Sequence, residues 1–70
     1  MNPLEPYQQR VVGERSQLNE KVQQLDAFIW GHLFNSLPSE EKARLIQQLG
    51  FMKAYRQILD DRIVVWMNAL

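Results

Sequence analysis

The sequence contains no cysteine and only one histidine, His32, among its 70 residues. Disulfides, thiolate metal sites and multi-histidine metal sites within one chain are therefore excluded. Eight basic residues balance eight acidic ones, so the formal net charge is zero. Because non-specific binding to duplex nucleic acid depends on neutralising phosphates, a neutral chain without a basic block is a weak candidate for it.

Long apolar runs are also missing. The longest, from Ile63 to Met67, is far shorter than the roughly 20 residues that span a bilayer, so we expect no membrane partner. The opening MNPLEP has neither the basic nor the apolar region of a secretory signal, which favours a cytoplasmic location. A single domain this small buries only about 60% of its unfolded surface. With disulfides and metals excluded, we expect oligomerisation to stabilise it.

Groups that could perform catalysis are scarce. The chain has no cysteine nucleophile and no glycine-rich phosphate loop, since its three glycines are isolated. Asp60 and Asp61 are adjacent carboxylates, but neighbouring helical residues do not face each other, so a solvated surface is the expectation for them. We therefore expect no enzyme activity, no catalytic residue, no cofactor and no metal.

Signals for helices are abundant. Pro6 suits the first position of a helix, and no further proline occurs before Pro38. Leu18, Val22, Leu25 and Ile29 recur at intervals of four and three, the spacing of one helical face. The sequence predicts an all-α, antiparallel two-helix hairpin as a single domain over residues 1–70. Its expected parts are helix one at about 6–30, a corner at 31–38 and helix two at about 39–69.

The second helix has its own apolar seam and start signals. Ser39 is the predicted N-cap, with acidic residues in the first turn facing the positive end of the helix dipole. The predicted seam contains Leu45, Leu49, Met52, Leu59, Ile63, Trp66 and Leu70. Leu33, Phe34 and Leu37 are expected to pack beneath the corner.

Apolar residues also lie outside the seam that joins the two helices. The end of helix two, RIVVWMNAL, is apolar on several sides, and a helix of that kind is normally buried. Only another chain can bury it in a two-helix protein, so we predict a helical-bundle homo-oligomer. The predicted interface residues are Val12, Phe28, Phe51, Ile58, Ile63, Val65 and Trp66.

Two arginines interrupt the apolar seams, Arg15 in helix one and Arg56 in helix two. A partly buried arginine requires a carboxylate or a phosphate as its partner. Glu14, Glu20 and Asp60 are the internal candidates, and an anionic ligand is the alternative.

Binding is better supported than catalysis at the start of helix one. Arginine side chains suit phosphate oxygens and an aromatic ring can stack on a base. The candidate ligand-binding residues are Tyr7, Gln8, Arg10, Arg15 and Lys21. The structural alternative is that Tyr7 packs near Trp66 while Arg10 pairs with Glu14. Gly13 in mid-helix is expected to allow close approach of a backbone or a ligand.

The sequence also resembles a known group of proteins. The runs YQQRVVGERSQLNEKVQQLDAFI and LPSEEKARLIQQLGFMKAYRQILDDRI resemble very small phage-encoded helical-hairpin proteins. Matching positions in helix one include Gln8, Arg10, Val11, Val12, Glu14, Leu18, Lys21, Leu25, Phe28 and Ile29. Those in helix two include Leu49, Met52, Tyr55, Leu59, Arg62 and Ile63.

That group is similar to the hairpin domain of phage cyclic-oligonucleotide sponges, which counter the CBASS and Thoeris defences. The resemblance implies an anti-defence homo-oligomer in the host cytoplasm. Its ligand would be a cyclic di- or trinucleotide or a cyclic ADP-ribose type molecule, sequestered without cleavage. The alternative function is a protein-interaction module that inhibits a host protein through the apolar second helix.

Overall fold

Two long antiparallel α-helices make up almost all of the computed structural model, which describes residues 3–70. Helix α1 spans Pro6–Trp30 and α2 spans Ser39–Asn68, with a 3₁₀ helix at His32–Ser36 between them. No strand occurs in residues 3–70, so the prediction of an all-α hairpin is confirmed. The hairpin measures 49 × 18 × 16 Å. Neither α1 nor α2 has the length and apolar character needed to cross a bilayer.

The start of α1 is fixed by local polar contacts. Pro6 lies at the beginning of the helix, where its missing N–H costs nothing. The backbone N–H of Glu5 donates to Gln8 Oε1 at 2.8 Å, and Gln9 Nε2 donates to the carbonyl of Leu4 at 2.8 Å. Gln8 therefore has a structural partner at the helix start.

The corner buries fewer apolar side chains than expected. Phe34 is buried and meets Phe28 edge-to-face with ring centroids 6.3 Å apart, and Leu37 is half-buried. The expectation for Leu33 was wrong, because its side chain is 61% exposed. The tight 3₁₀ turn directs Leu33 outward, while its carbonyl accepts a hydrogen bond from Ser36 Oγ at 2.6 Å.

The prediction that Ser39 caps α2 was also wrong. Pro38 is the N-cap, with φ −58° and ψ 149°, and Ser39 is the first helical residue. The Pro38 carbonyl accepts the N–H of Lys42 at 3.0 Å. Because a cap residue needs a non-helical backbone, Pro38 takes the position and Ser39 makes no side-chain capping bond.

The core is a narrow seam between the two helices. Its buried members are Leu18 and Val22 of α1 and Leu49 and Leu59 of α2. Partly buried side chains pack against them, namely Val11, Leu25, Ile29 and Met52. The expectation that Leu70 lies in this seam was wrong, because Leu70 lies beyond the end of α2 at Asn68 and is 62% exposed.

Candidate ligand site

Arg15 has an internal carboxylate partner across the hairpin. Its Nε donates to Asp60 Oδ1 at 2.6 Å and its Nη2 donates to Asp60 Oδ2 at 3.3 Å. These hydrogen bonds lower the pKa of Asp60 and raise the pKa of Arg15, because each favours the charged form of its partner. The positive charges of Arg15 and Arg56 lower the pKa of Asp60 further.

The second seam arginine also has a hydrogen-bond partner inside the chain. Arg56 Nη1 donates to Asn19 Oδ1 at 3.0 Å. A third cross-helix contact joins Lys53 Nζ and Asp26 Oδ1 at 4.0 Å. The question that the sequence left open is thereby answered for Arg15, whose partner is the Asp60 carboxylate, whereas the hydrogen-bond partner of Arg56 is a neutral amide.

These contacts divide the hairpin into two faces on either side of its core. We call the side with the Arg15–Asp60 and Lys53–Asp26 contacts the paired face. At 3.6 residues per turn, Arg10 lies about 140° around α1 from Arg15. Lys21 lies only about 20° from Arg10. Both side chains therefore project from the opposite side, which we call the open face.

Helix α2 contributes to the open face in the same way. Tyr55 lies about 140° around the helix from Asp60, and Arg62 lies about 20° from Tyr55. The guanidinium carbon of Arg62 lies 5.5 Å from the centroid of the Trp66 ring, a cation–π contact. The open face thus carries a cation next to an aromatic ring at the open end of the hairpin.

Tyr7 also lies at the open end of the hairpin. Its ring meets that of Trp66 edge-to-face, with centroids 5.9 Å apart and an interplanar angle of 80°. The structural alternative for Tyr7, packing near Trp66, is therefore confirmed. Half of the Tyr7 side chain is still exposed, so its free ring surface is available to a ligand.

The cations of the open face differ from Arg15 in their ion pairs. Within residues 3–70 the structure contains no ion pair of Arg10, Lys21 or Arg62. The alternative in which Arg10 pairs with Glu14 was therefore wrong. Since Tyr7 contacts Trp66 and Arg15 contacts Asp60, Arg62 lies within about one helical turn, about 5 Å, of the height of Arg10 along the hairpin axis.

The structure separates the five predicted ligand-binding residues into two groups. Arg10 and Lys21 share the open face, and Tyr7 lies at the open end of the hairpin in contact with Trp66. Gln8 belongs to the helix start, and Arg15 lies on the paired face with Asp60. No cluster of three or more histidine, aspartate or glutamate side chains suited to a metal ion occurs in the described part of the chain.

The predicted interface residues also differ in position. Side chains exposed on the hairpin surface are Val12, Phe28, Phe51, Ile58 and Val65. Ile63 and Trp66 are half-buried, and Trp66 already contacts Tyr7 within the chain.

A protein-family model with the description Sequestin matches residues 5–65. The chain belongs to the Sequestin family. The matched region contains both helices and the corner between them. No curated protein and no solved structure matches the chain. The name Sequestin indicates a sequestering role, and it does not specify the ligand.

Arg62 is a candidate site residue that the sequence reasoning did not name for ligand binding, and it lies within the Sequestin match. A signal for it was present, because Arg62 precedes Trp66 by four residues and such pairs face each other on a helix. Together with the expected proximity of Tyr7 and Trp66, that spacing places Arg62 beside the aromatic pair.

Proposed function

We propose that this Sequestin-family chain binds and sequesters a cyclic nucleotide immune signal without cleaving it. The observation that carries the proposal is the composition of the open face. Within residues 3–70, Arg10, Lys21 and Arg62 form no ion pair, and Arg62 lies beside the Tyr7–Trp66 aromatic pair.

The chemistry of a cyclic nucleotide fits this surface. Phosphate oxygens accept charge-assisted hydrogen bonds from guanidinium groups, and a base stacks on an exposed aromatic ring. Arg10 and Arg62 project from the same face at similar heights, one from each helix. A ligand with several phosphates and bases could bind both guanidinium groups and use the free surface of Tyr7 at the same time.

The biological setting of the proposal is phage anti-defence. The protein acts as a homo-oligomer in the host cytoplasm and depletes the signal of a CBASS or Thoeris system. Support comes from the Sequestin family, whose name denotes sequestration, and from the many apolar side chains exposed on the hairpin. The ligand is a cyclic di- or trinucleotide or a cyclic ADP-ribose type molecule.

Isothermal titration against cyclic dinucleotides, cyclic trinucleotides and cyclic ADP-ribose isomers tests the proposal directly. We expect saturable binding of one member of this panel. Heat denaturation of the complex should release that ligand chemically intact, as measured by mass spectrometry. Absence of binding to every member by a folded protein contradicts the proposal, and release of a cleaved product contradicts its non-enzymatic part.

Substitution of Arg10 locates the site. Arg10→Ala preserves helix content, since arginine and alanine are both good helix formers. Removing a hydrogen bond to a charged group costs about 1.5–3 kcal/mol, so we expect affinity to fall by about 10- to 150-fold. Lys53→Ala is the matched control, because it removes a cation from the paired face. Equal losses in the two variants would remove Arg10 from the site.

A second function is favoured by the apolar side chains that α2 exposes, among them Phe51, Ile58 and Val65. In this alternative the second helix docks on a host protein and inhibits it. Affinity capture from host lysate with wild-type protein and with Arg10→Ala separates the two functions. A stoichiometric protein partner captured equally by both, with no nucleotide released, supports the alternative.

A further inference from the structure

Helix α2 carries a second apolar stripe in addition to the one that packs on α1. Phe51, Ile58 and Val65 are separated by seven residues, and Tyr55 and Arg62 interleave with them at intervals of four and three. All five side chains are exposed, with Phe51 at 68% and Ile58 at 57%. A seven-residue repeat of this kind is the pattern by which two helices pack side by side.

The exposed surface of the hairpin is large enough for one such contact. A compact monomer of this mass, 8.3 kDa, exposes about 4,600 Å². The hairpin exposes 5378 Å², an excess of about 800 Å², and one partner in an interface of standard size buries about 800 Å². The excess reflects the elongated shape of the hairpin, 49 × 18 × 16 Å, and it is similar in size to the share of one chain in a standard interface.

The stripe contains a groove that suits the side chains of the stripe itself. The groove has a volume of about 530 Å³ and is lined by Arg44, Gln47, Gln48, Phe51, Met52 and Tyr55. Gln48, Phe51, Met52 and Tyr55 enclose it as four residues enclose a hole in coiled-coil packing. We infer that a second copy of this chain occupies the groove. The Ile58 side chain of each copy enters the groove of the other copy.

The charges at the ends of the stripe determine the direction of pairing. Arg44 lies near one end and Arg62 near the other. Parallel pairing in register would place each arginine against its own copy, which like charges disfavour. Antiparallel pairing about a two-fold axis between Ala54 and Tyr55 places Phe51 opposite Ile58. It also places Arg44 beside Val65, so no two arginines lie directly opposite each other.

This inference specifies the surface of the oligomer proposed above, and it does not depend on which nucleotide binds. Its test is therefore made without ligand, by light scattering on the purified chain. We expect wild-type protein to have the mass of at least a dimer and Ile58→Glu to have the mass of a monomer. Circular dichroism should show that the variant stays helical, because Ile58 is exposed in the single hairpin.

Ile46→Glu is the matched control. Ile46 lies on the same helix with nearly the same exposed fraction, 55%, and it lies outside the stripe. The Ile46→Glu variant should have the same assembly mass as the wild-type protein. A folded wild-type monomer, an associated Ile58→Glu or equal dissociation of both variants would each overturn the inference. A folded wild-type monomer would also contradict the homo-oligomer of the proposed function, whereas nucleotide binding itself is tested separately by the titration.

Single cysteine substitutions test whether the two copies of α2 pair in antiparallel fashion, since the native chain has no cysteine. In antiparallel pairing about the stated axis, the two copies of residue 65 lie about 31 Å apart along the helix. Val65→Cys alone should therefore not form a disulfide between chains. An equal mixture of Val65→Cys and Arg44→Cys should form the mixed disulfide. Efficient self-linkage of Val65→Cys would overturn the antiparallel arrangement.

Discussion

Replacement of Leu59 tests whether the narrow seam between α1 and α2 holds the hairpin together. Leu59 is the most deeply buried side chain in the described chain, at 1% exposure, and it packs in one cluster with Leu18, Val22 and Leu49. Leu59→Ala removes three carbon atoms from the centre of that cluster. No polar group lies buried there without a partner in residues 3–70, so the loss is one of apolar packing.

The size of the effect follows from the geometry of the seam. Leucine-to-alanine changes in cores cost about 2–5 kcal/mol, depending on how far the surroundings collapse. A seam between only two helices is open on both sides and can collapse more easily than an enclosed core. We therefore expect about 2–3 kcal/mol. A chain of this length has a total stability of about 3.5–10 kcal/mol, so the change removes a large share of it.

Urea denaturation followed by circular dichroism measures this loss. With a slope of about 1 kcal/mol per molar urea, the midpoint should fall by about 2–3 M. Both proteins must be compared at one concentration, because association of chains adds to apparent stability. Leu33→Ala is the control, since that leucine is 61% exposed and its removal should change stability by less than about 0.5 kcal/mol. Equal shifts for the two variants would refute the assignment of the core.

Two further predictions concern single positions. The pKa of Asp60 is lowered by its contact with Arg15, so this contact stabilises the fold fully at pH values above the ordinary carboxyl pKa, 3.8. The stabilisation is lost as the pH falls through the lowered pKa. Asp60→Asn should therefore lose less thermal stability than wild type between about pH 7 and about pH 3, and an equal loss would contradict the role of the contact. Gly13→Ala should raise the unfolding free energy by up to about 1 kcal/mol in urea, because a Cβ at Gly13 meets nothing within 4 Å. A decrease instead would indicate that a ligand or a second chain approaches Gly13 closely.

The elements of the hairpin depend on local sequence, and sequence reasoning describes them well. Pro6 begins α1 and Gly31 follows its last residue, because each acts on the backbone within one turn. The apolar spacing of Leu18 and Val22 identifies the buried face of α1 without reference to α2. The errors at Ser39 and Leu33 are also local. The error at Ser39 depends on which residue before α2 has an extended backbone, and the error at Leu33 depends on how tightly the 3₁₀ turn winds.

Partners across the hairpin could not be read from the sequence in the same way. Asp60 was one of three carboxylates that sequence reasoning offered to Arg15, and only the packing of α1 on α2 selects it. Interactions between residues far apart in sequence depend on the register of two helices, which local spacing does not encode.

The sequence by itself determined an all-α chain, a hairpin and a set of aromatic and basic residues near the start of α1. Only the tertiary structure decided which of those residues share a surface. It directs Arg15 to the paired face and leaves Arg10, Lys21 and Arg62 together on the open face. The physical reason is that the docking of α1 on α2 fixes the rotation of each helix about its axis, and that rotation determines which cations acquire a carboxylate and which remain open to a ligand.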